Sequence, residues 1–189
     1  MNYDEIMLRL LEKEADRPFL AAIDGRCTAG KTTLAGLLQG KLNCNVVHMD
    51  DFYLPFSKRT PEGMAQPGGN MDFHRLLEEV LLPLKRGAEA LYRPYNCHED
   101  FFLPTQTLNA AIPTIIEGSY SCHPLLREYY DLRVFLDISP ELQAERLTAR
   151  NPAAFEAFQT MWIPREEAYF SACQVREHCD LILHGSAAE

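Results

Sequence analysis

Three things are scarce in this chain, and each closes off a class of function. Basic residues are outnumbered, with 18 Lys and Arg against 27 Asp and Glu, for a formal net charge of −9. A broad nucleic-acid surface needs a cationic excess to replace counterions, so no nucleic-acid partner is expected. The six cysteines (Cys27, Cys44, Cys97, Cys122, Cys173 and Cys179) include no C-x-x-C and none of the paired spacing of a zinc site. Free thiols are the expectation, and a metal shared between Cys97-His98 and Cys122-His123 is the alternative. No apolar run approaches the roughly 20 residues of a membrane span. Residues 1–14 set Asp4, Glu5, Glu12 and Glu14 against Ile6, Met7, Leu10 and Leu11, an amphipathic helix and not a signal peptide. A cytoplasmic protein without a membrane partner is expected. No internal repeat or low-complexity tract interrupts the chain.

What remains is ordinary globular material. A length of 189 residues, 47% hydrophobic and 24% charged, suits one domain that buries a core without disulfides or metals. Five short apolar runs alternate with helical patterns: Phe19 to Asp24, Asn45 to Met49, Thr114 to Ile116, Leu132 to Leu136 and Leu181 to Leu183. Alternation of this kind predicts a three-layer α/β fold with a mainly parallel, five-stranded sheet. Ligands in such sheets sit beyond the carboxyl ends of the strands. Asp50, Glu117 and Asp137, which follow three of the runs, are therefore expected along one edge.

Between the first run and a helical pattern of Leu34, Leu37, Leu38 and Leu42 lies Gly25-Arg26-Cys27-Thr28-Ala29-Gly30-Lys31-Thr32, followed by Thr33. It matches the phosphate-loop pattern G-x-x-x-x-G-K-[ST] in the strand-to-helix context that the pattern requires. Glycines at both ends let the backbone wrap so that successive N–H groups point inward at phosphate oxygens. Lys31 adds a mobile charge near the β- and γ-phosphates, Thr32 offers a hydroxyl to Mg²⁺, and the following helix contributes its N-terminal dipole. ATP with Mg²⁺ is the expected cofactor. Cys27, near a helix N-terminus, is expected to have a lowered thiol pKa and to be sensitive to alkylation or oxidation.

Further along, residues 72–86 carry Leu76, Leu77, Val80, Leu81 and Leu84 at helical spacing, with Pro83 placed to stop the helix early. Residues 88–113 alternate aromatics with Arg93, Pro94 and Pro104, which predicts a small β-hairpin elaboration walling an acceptor pocket. Ser139-Pro140-Glu141 is a helix start, with a capping hydroxyl and proline at the first position. On that helix Arg146 and Arg150 share a face, and a second start is expected at Pro164.

Phosphoryl transfer asks a protein to align the acceptor, neutralise developing charge and accept a proton. Asp50, with Asp51 beside it, is the candidate base, and Glu117 the candidate acid for Mg²⁺. Either could instead be a solvated or capping acid at a strand end.

The order of phosphate loop, Met49-Asp50-Asp51-Phe52-Tyr53, Asn70-Met71-Asp72, Tyr92-Arg93-Pro94-Tyr95, Ile116-Glu117-Gly118 and a late Arg-bearing helix resembles the uridine kinase and phosphoribulokinase group of P-loop kinases. The similarity spans Phe19 to Leu183, and its most specific element is the strand ending in Asp-x-Phe-Tyr. The resemblance implies that Asp50 takes the proton of a sugar hydroxyl, that Glu117 lies near Mg²⁺ and that Asp72 contacts a ribose. It also implies that Tyr95 lines the acceptor site and that Arg146 and Arg150 close a lid over the triphosphate. Arg93 and Tyr53 join the acceptor side. Asp72 also reads as a helix N-cap, Tyr53 and Tyr95 as core or rim aromatics, and the two arginines as a solvated face.

The implied domain is 1–189, with the hairpin at 88–113 and the lid at 140–165. The implied activity is transfer of the γ-phosphate of ATP to a small hydroxyl-bearing acceptor, foremost the 5′-hydroxyl of a nucleoside such as uridine or cytidine. Two departures bear on that acceptor. Tyr95-Asn96-Cys97-His98-Glu99 lacks the phenylalanine and histidine with which uridine kinases read the pyrimidine, and Asn151-Pro152-Ala153-Ala154-Phe155 replaces a more basic lid segment. Another ribosyl compound, pantothenate or a sugar phosphate remain as acceptors, as does a non-catalytic nucleotide-binding regulator. A homo-oligomer is permitted.

Overall fold

Leu20-Ala21-Ala22-Ile23 offers apolar side chains to both faces of a sheet, and the chain uses it as the central strand. The computed structural model describes residues 18–185; the expected amphipathic helix at 1–14 lies outside them. In chain order the main elements are β1 (Leu20–Gly25), α1 (Lys31–Leu42), β2 (Asn45–His48), α2 (73–85), β3 (Ala90–Tyr92), β4 (Tyr95–Asn96) and β5 (Phe101–Phe102). They continue with β6 (Gln106–Leu108), β7 (Thr114–Glu117), β8 (Leu132–Asp137), α3 (Pro140–Arg150), α4 (155–172) and β9 (Leu181–His184).

The five-stranded sheet has the order β2-β7-β1-β8-β9, with every neighbouring pair parallel. Every residue of β1 is buried, whereas β9, at the edge, alternates buried Leu181 and Leu183 with exposed Ile182 and His184. One apolar layer packs Leu34, Ala35 and Leu38 of α1 against Ile23, Ile115 and Val134. The other packs Leu76, Val80 and Leu81 of α2 and Tyr169 and Phe170 of α4 against Val47, Ile116 and Phe135. These are the three layers that the alternating pattern predicts. Among the described residues no helix is long and apolar enough to cross a membrane.

Both proline expectations are corrected. Helix α2 does not stop at Pro83, and α4 does not begin at Pro164 but runs through it from residue 155. A proline inside a regular helix removes a donor and collides with the carbonyl four residues back. Here each proline follows a wide turn: Leu82 N–H donates to the Leu77 carbonyl, and Ile163 N–H to the Phe158 carbonyl, five residues back in each case. The extra residue in the turn moves the backbone away from the ring, so the helix continues.

The elaboration at 88–113 is an interrupted hairpin. β3 pairs antiparallel with β6, and β4 with β5 nested inside, as two separate ladders. Ser139 caps α3, its hydroxyl accepting the Leu142 N–H at 3.3 Å.

Candidate active site

The phosphate loop starts where the sheet allows no side chain. At Gly25, φ is +133° and a Cβ would sit 2.0 Å from the Leu136 carbonyl oxygen on β8. Glycine alone fits, and the loop turns off β1 against its neighbour. Thr28 and Gly30 also take positive φ, which wraps the loop before α1 begins at Lys31.

Lys31 is buried, and its Nζ donates to the Gly25 carbonyl at 2.6 Å and the Arg26 carbonyl at 2.9 Å. The ammonium is thus folded back onto the loop. Thr32 follows, its hydroxyl 3.1 Å from Glu117 Oε1 at the end of β7. The same carboxylate oxygen lies 2.5 Å from His48 Nδ1, and this bond raises the His48 pKa. A hydroxyl and a carboxylate side by side at the loop are hard oxygen donors of the kind Mg²⁺ takes, the rest of its shell coming from water and phosphate. The two residues therefore fit Mg²⁺ and would hold it together. Among the described residues no cluster of three or more His, Cys, Asp or Glu forms a metal cage.

Asp50 and Asp51 lie just past the end of β2, in the short helical turn Met49–Phe52. Asp50 is exposed to solvent. Burial on its other sides raises its pKa and Glu117 adds to the rise, while Lys31 and a hydrogen bond from Tyr53 oppose it. Asp51 is committed elsewhere, taking the Tyr92 hydroxyl at 3.2 Å. Of the adjacent pair, Asp50 is the more exposed. Gly118 after β7 makes room for this turn: φ is +133°, and a Cβ there would meet the Met49 Cβ at 2.8 Å.

Asp72 caps α2, accepting the Arg75 N–H at 3.2 Å. Tyr95 is buried, tilted against Phe102, with its hydroxyl on Asp100. Arg93 spends its guanidinium within the hairpin, on the Leu103 carbonyl at 2.9 Å and the Phe102 carbonyl at 2.7 Å. Arg146 reaches the loop, donating to the Thr28 carbonyl at 3.0 Å, whereas Arg150, four residues on, is exposed.

The expectation for Cys27 is reversed. Burial, then the nearby Glu166 carboxylate, push its thiol up to about 12, so the thiolate is suppressed and not favoured. Gln143 of α3 holds it in place, with Nε2 3.1 Å from the sulfur and 3.2 Å from the Cys27 carbonyl. All six cysteines are free thiols.

Sequence reasoning missed four residues that shape the site. Asp24, wholly buried at the end of β1, accepts N–H groups from Gly25 at 2.7 Å and Cys122 at 2.8 Å and the Tyr169 hydroxyl at 2.8 Å. Burial still raises its pKa to about 6. Glu166 and Glu167 of α4 reach back to the phosphate loop. Arg59 lies at the turn facing the hairpin, its guanidinium 4.2 Å above the Phe56 ring and its Nε donating to the Leu54 carbonyl at 2.8 Å. An acid just before the first loop glycine was the one signal available; the other three carry none.

No protein-family model matches the chain. Among curated proteins it is similar to a pantothenate kinase from Streptomyces avermitilis, 26% identical over 151 residues that make up 68% of this chain and 46% of the relative. A pantothenate kinase from Shewanella loihica is 25% identical over 177 residues, 82% of this chain and 55% of the relative. The chain spans about half the length of the curated relatives it matches. Among solved structures it is similar to a possible uridine kinase from Bacillus stearothermophilus, with TM-score 0.71 and 19% identity over 96% of this chain and 97% of that one. The parallel sheet, the loop after its central strand and this whole-length superposition together give the chain the fold of the P-loop kinases.

Proposed function

We propose that this protein is an ATP- and Mg²⁺-dependent kinase that transfers the γ-phosphate to a hydroxyl of a small molecule. One observation carries the reading: Lys31, the Thr32–Glu117 pair and Asp50 lie at the carboxyl ends of neighbouring strands, with Asp50 exposed to solvent. Each has a distinct task in phosphoryl transfer. The loop N–H groups and Lys31 bind the β- and γ-phosphates. Thr32 and Glu117 would hold Mg²⁺, which would supply neutralisation of the charge on the transferred group. Asp50 accepts the proton of the acceptor hydroxyl, and its raised pKa makes it a stronger base than a solvated aspartate. Tyr53, bonded to that carboxylate, holds its orientation. Arg146, already on the loop, screens it from water on the α3 side.

The acceptor is read first as a nucleoside bearing a free 5′-hydroxyl, which the likeness to a possible uridine kinase supports. A second reading, an acceptor carrying a carboxylate such as pantothenate, is favoured by Arg59. Its Nε is occupied by Leu54, and its charge acts on Cys97, which in turn feels Asp50. An arginine so placed suits an anionic tail on the acceptor. The two pantothenate kinases among the relatives agree with it.

ADP release measured with ATP and Mg²⁺ across nucleosides, hydroxy acids including pantothenate, and sugar phosphates tests both readings. Release that depends on one of these acceptors supports the kinase. ATP binding without acceptor-dependent release replaces it with a nucleotide-binding regulator.

A further inference from the structure

His48 has no task in the transfer itself, yet it is tied to a residue that does. Strand β2 is the edge strand beside β7, and the two run parallel with His48 opposite Glu117 at the last position of their ladder. Side chains paired in this way leave the sheet on the same face, here the face on which Ile23 and Ile115 pack against α1. The register therefore delivers the imidazole to the carboxylate, and Nδ1 lies 2.5 Å from Oε1. Helix α1 brings the Thr32 hydroxyl to the same oxygen, at 3.1 Å.

The two oxygens of Glu117 are thus treated differently. Oε1 is bonded from two separate elements, and Oε2 is bonded by no protein group among the described residues. A carboxylate held in this way cannot turn about its last bond without breaking both contacts, yet it still has an oxygen to offer. Glu117 itself is buried, whereas the His48 side chain is half-exposed, so burial does not oblige His48 to find a partner in the protein. The ring donates through Nδ1 in its neutral and its protonated form alike, so the contact does not depend on the charge of the imidazole.

Resting on the reading of Thr32 and Glu117 as the residues that would hold Mg²⁺, we propose that His48 is a positioning residue that fixes the rotation of the Glu117 carboxylate and so raises the affinity of the site for the metal. Hydrogen-bond partners of a ligating carboxylate set its orientation, and losing one costs roughly ten- to a hundredfold in metal affinity. The role needs no contact between His48 and nucleotide or acceptor. It acts on how much Mg²⁺ tightens nucleotide binding, and not on how the loop and Lys31 hold the nucleotide alone.

The test is equilibrium binding of a non-hydrolysable ATP analogue, with Mg²⁺ and with the metal chelated, to the full chain and to His48→Ala. The tightening that Mg²⁺ gives should shrink about tenfold in the variant, while binding without metal stays within about twofold. His48→Asn, whose side-chain amide places a donor near the position of Nδ1, should restore most of the tightening. His48→Phe keeps a ring without a donor; it should behave as His48→Ala and serves if that variant fails to fold. Full tightening in the donorless variants, equal losses with and without metal, or a His48→Asn as impaired as His48→Ala overturns the proposal alone. Failure of the unaltered protein to bind the analogue, or binding that Mg²⁺ does not tighten, overturns the Mg²⁺-dependent kinase reading and this proposal with it.

Discussion

The phosphate loop and the hairpin at 88–113 are held in place by different means. At the phosphate loop many ties are long-range, some of them ionic. Arg26 joins Asp137 at 2.7 Å and Glu167 at 2.6 Å, and Gln143 and Arg146 reach the loop from α3. At the hairpin many ties are local or aromatic. Tyr95 bonds Asp100, Arg93 bonds carbonyls of its own hairpin, and Arg75 lies over Phe52 at 4.6 Å and Phe102 at 5.0 Å. The hairpin can therefore be rebuilt without disturbing the loop.

The contrast can be tested from its strongest point outward. Lys31→Ala should lower kcat/KM by about a thousandfold, the scale of losing a donor to transition-state charge. Steady-state ADP release checks it, and unaltered kinetics would remove the loop from the mechanism. Asp50→Asn should keep nucleotide binding and lose at least about a hundredfold in kcat, as expected for a general base. Calorimetric titration with nucleotide separates the two effects. Arg59→Ala should leave kcat within about twofold and raise the acceptor KM about tenfold if the acceptor is anionic, the worth of one charge-assisted hydrogen bond. An unchanged KM would favour the uncharged nucleoside.

The smallest effect concerns Asp24, whose pKa of about 6 lies above its ordinary 3.8. A raised carboxyl pKa stabilises the fold where the group is protonated, and that contribution is lost as pH rises through the folded value. Unfolding free energy of the native protein minus that of Asp24→Asn should therefore fall by about 0.8 kcal/mol between about pH 5.5 and about pH 8. A difference that rises over this window would mean that Asp24 is held as the anion.

The sheet and the loop were legible because a short stretch of sequence determines each. A buried strand needs only its own apolar run, and the phosphate loop only its two glycines, Lys31 and Thr32. Glu117 was legible for the same reason, lying at the end of Thr114-Ile115-Ile116. Glu166 and Glu167 were not, because two acids after Arg165 look like the wet face of a helix. Only the packing of α4 brings them to a loop some 140 residues earlier in the chain. Cys27 was misread on the same account, since nothing near it in sequence announces the carboxylate that raises its pKa. The prolines misled because local rules treat them as breakers, while a widened turn one residue upstream lets each helix pass.

That widened turn in α4 also sets a rotational phase. One additional residue turns a helix by about 100°, so everything on the amino-terminal side of Phe158 is swivelled relative to the face that carries Glu166, Tyr169 and Phe170. Excising a single residue there would leave Pro164 in collision with the backbone or force the segment leading back to Arg150 to point elsewhere. The amino-terminal part of α4 is thus aimed by a counting irregularity, and its direction is inherited from the place of one proline.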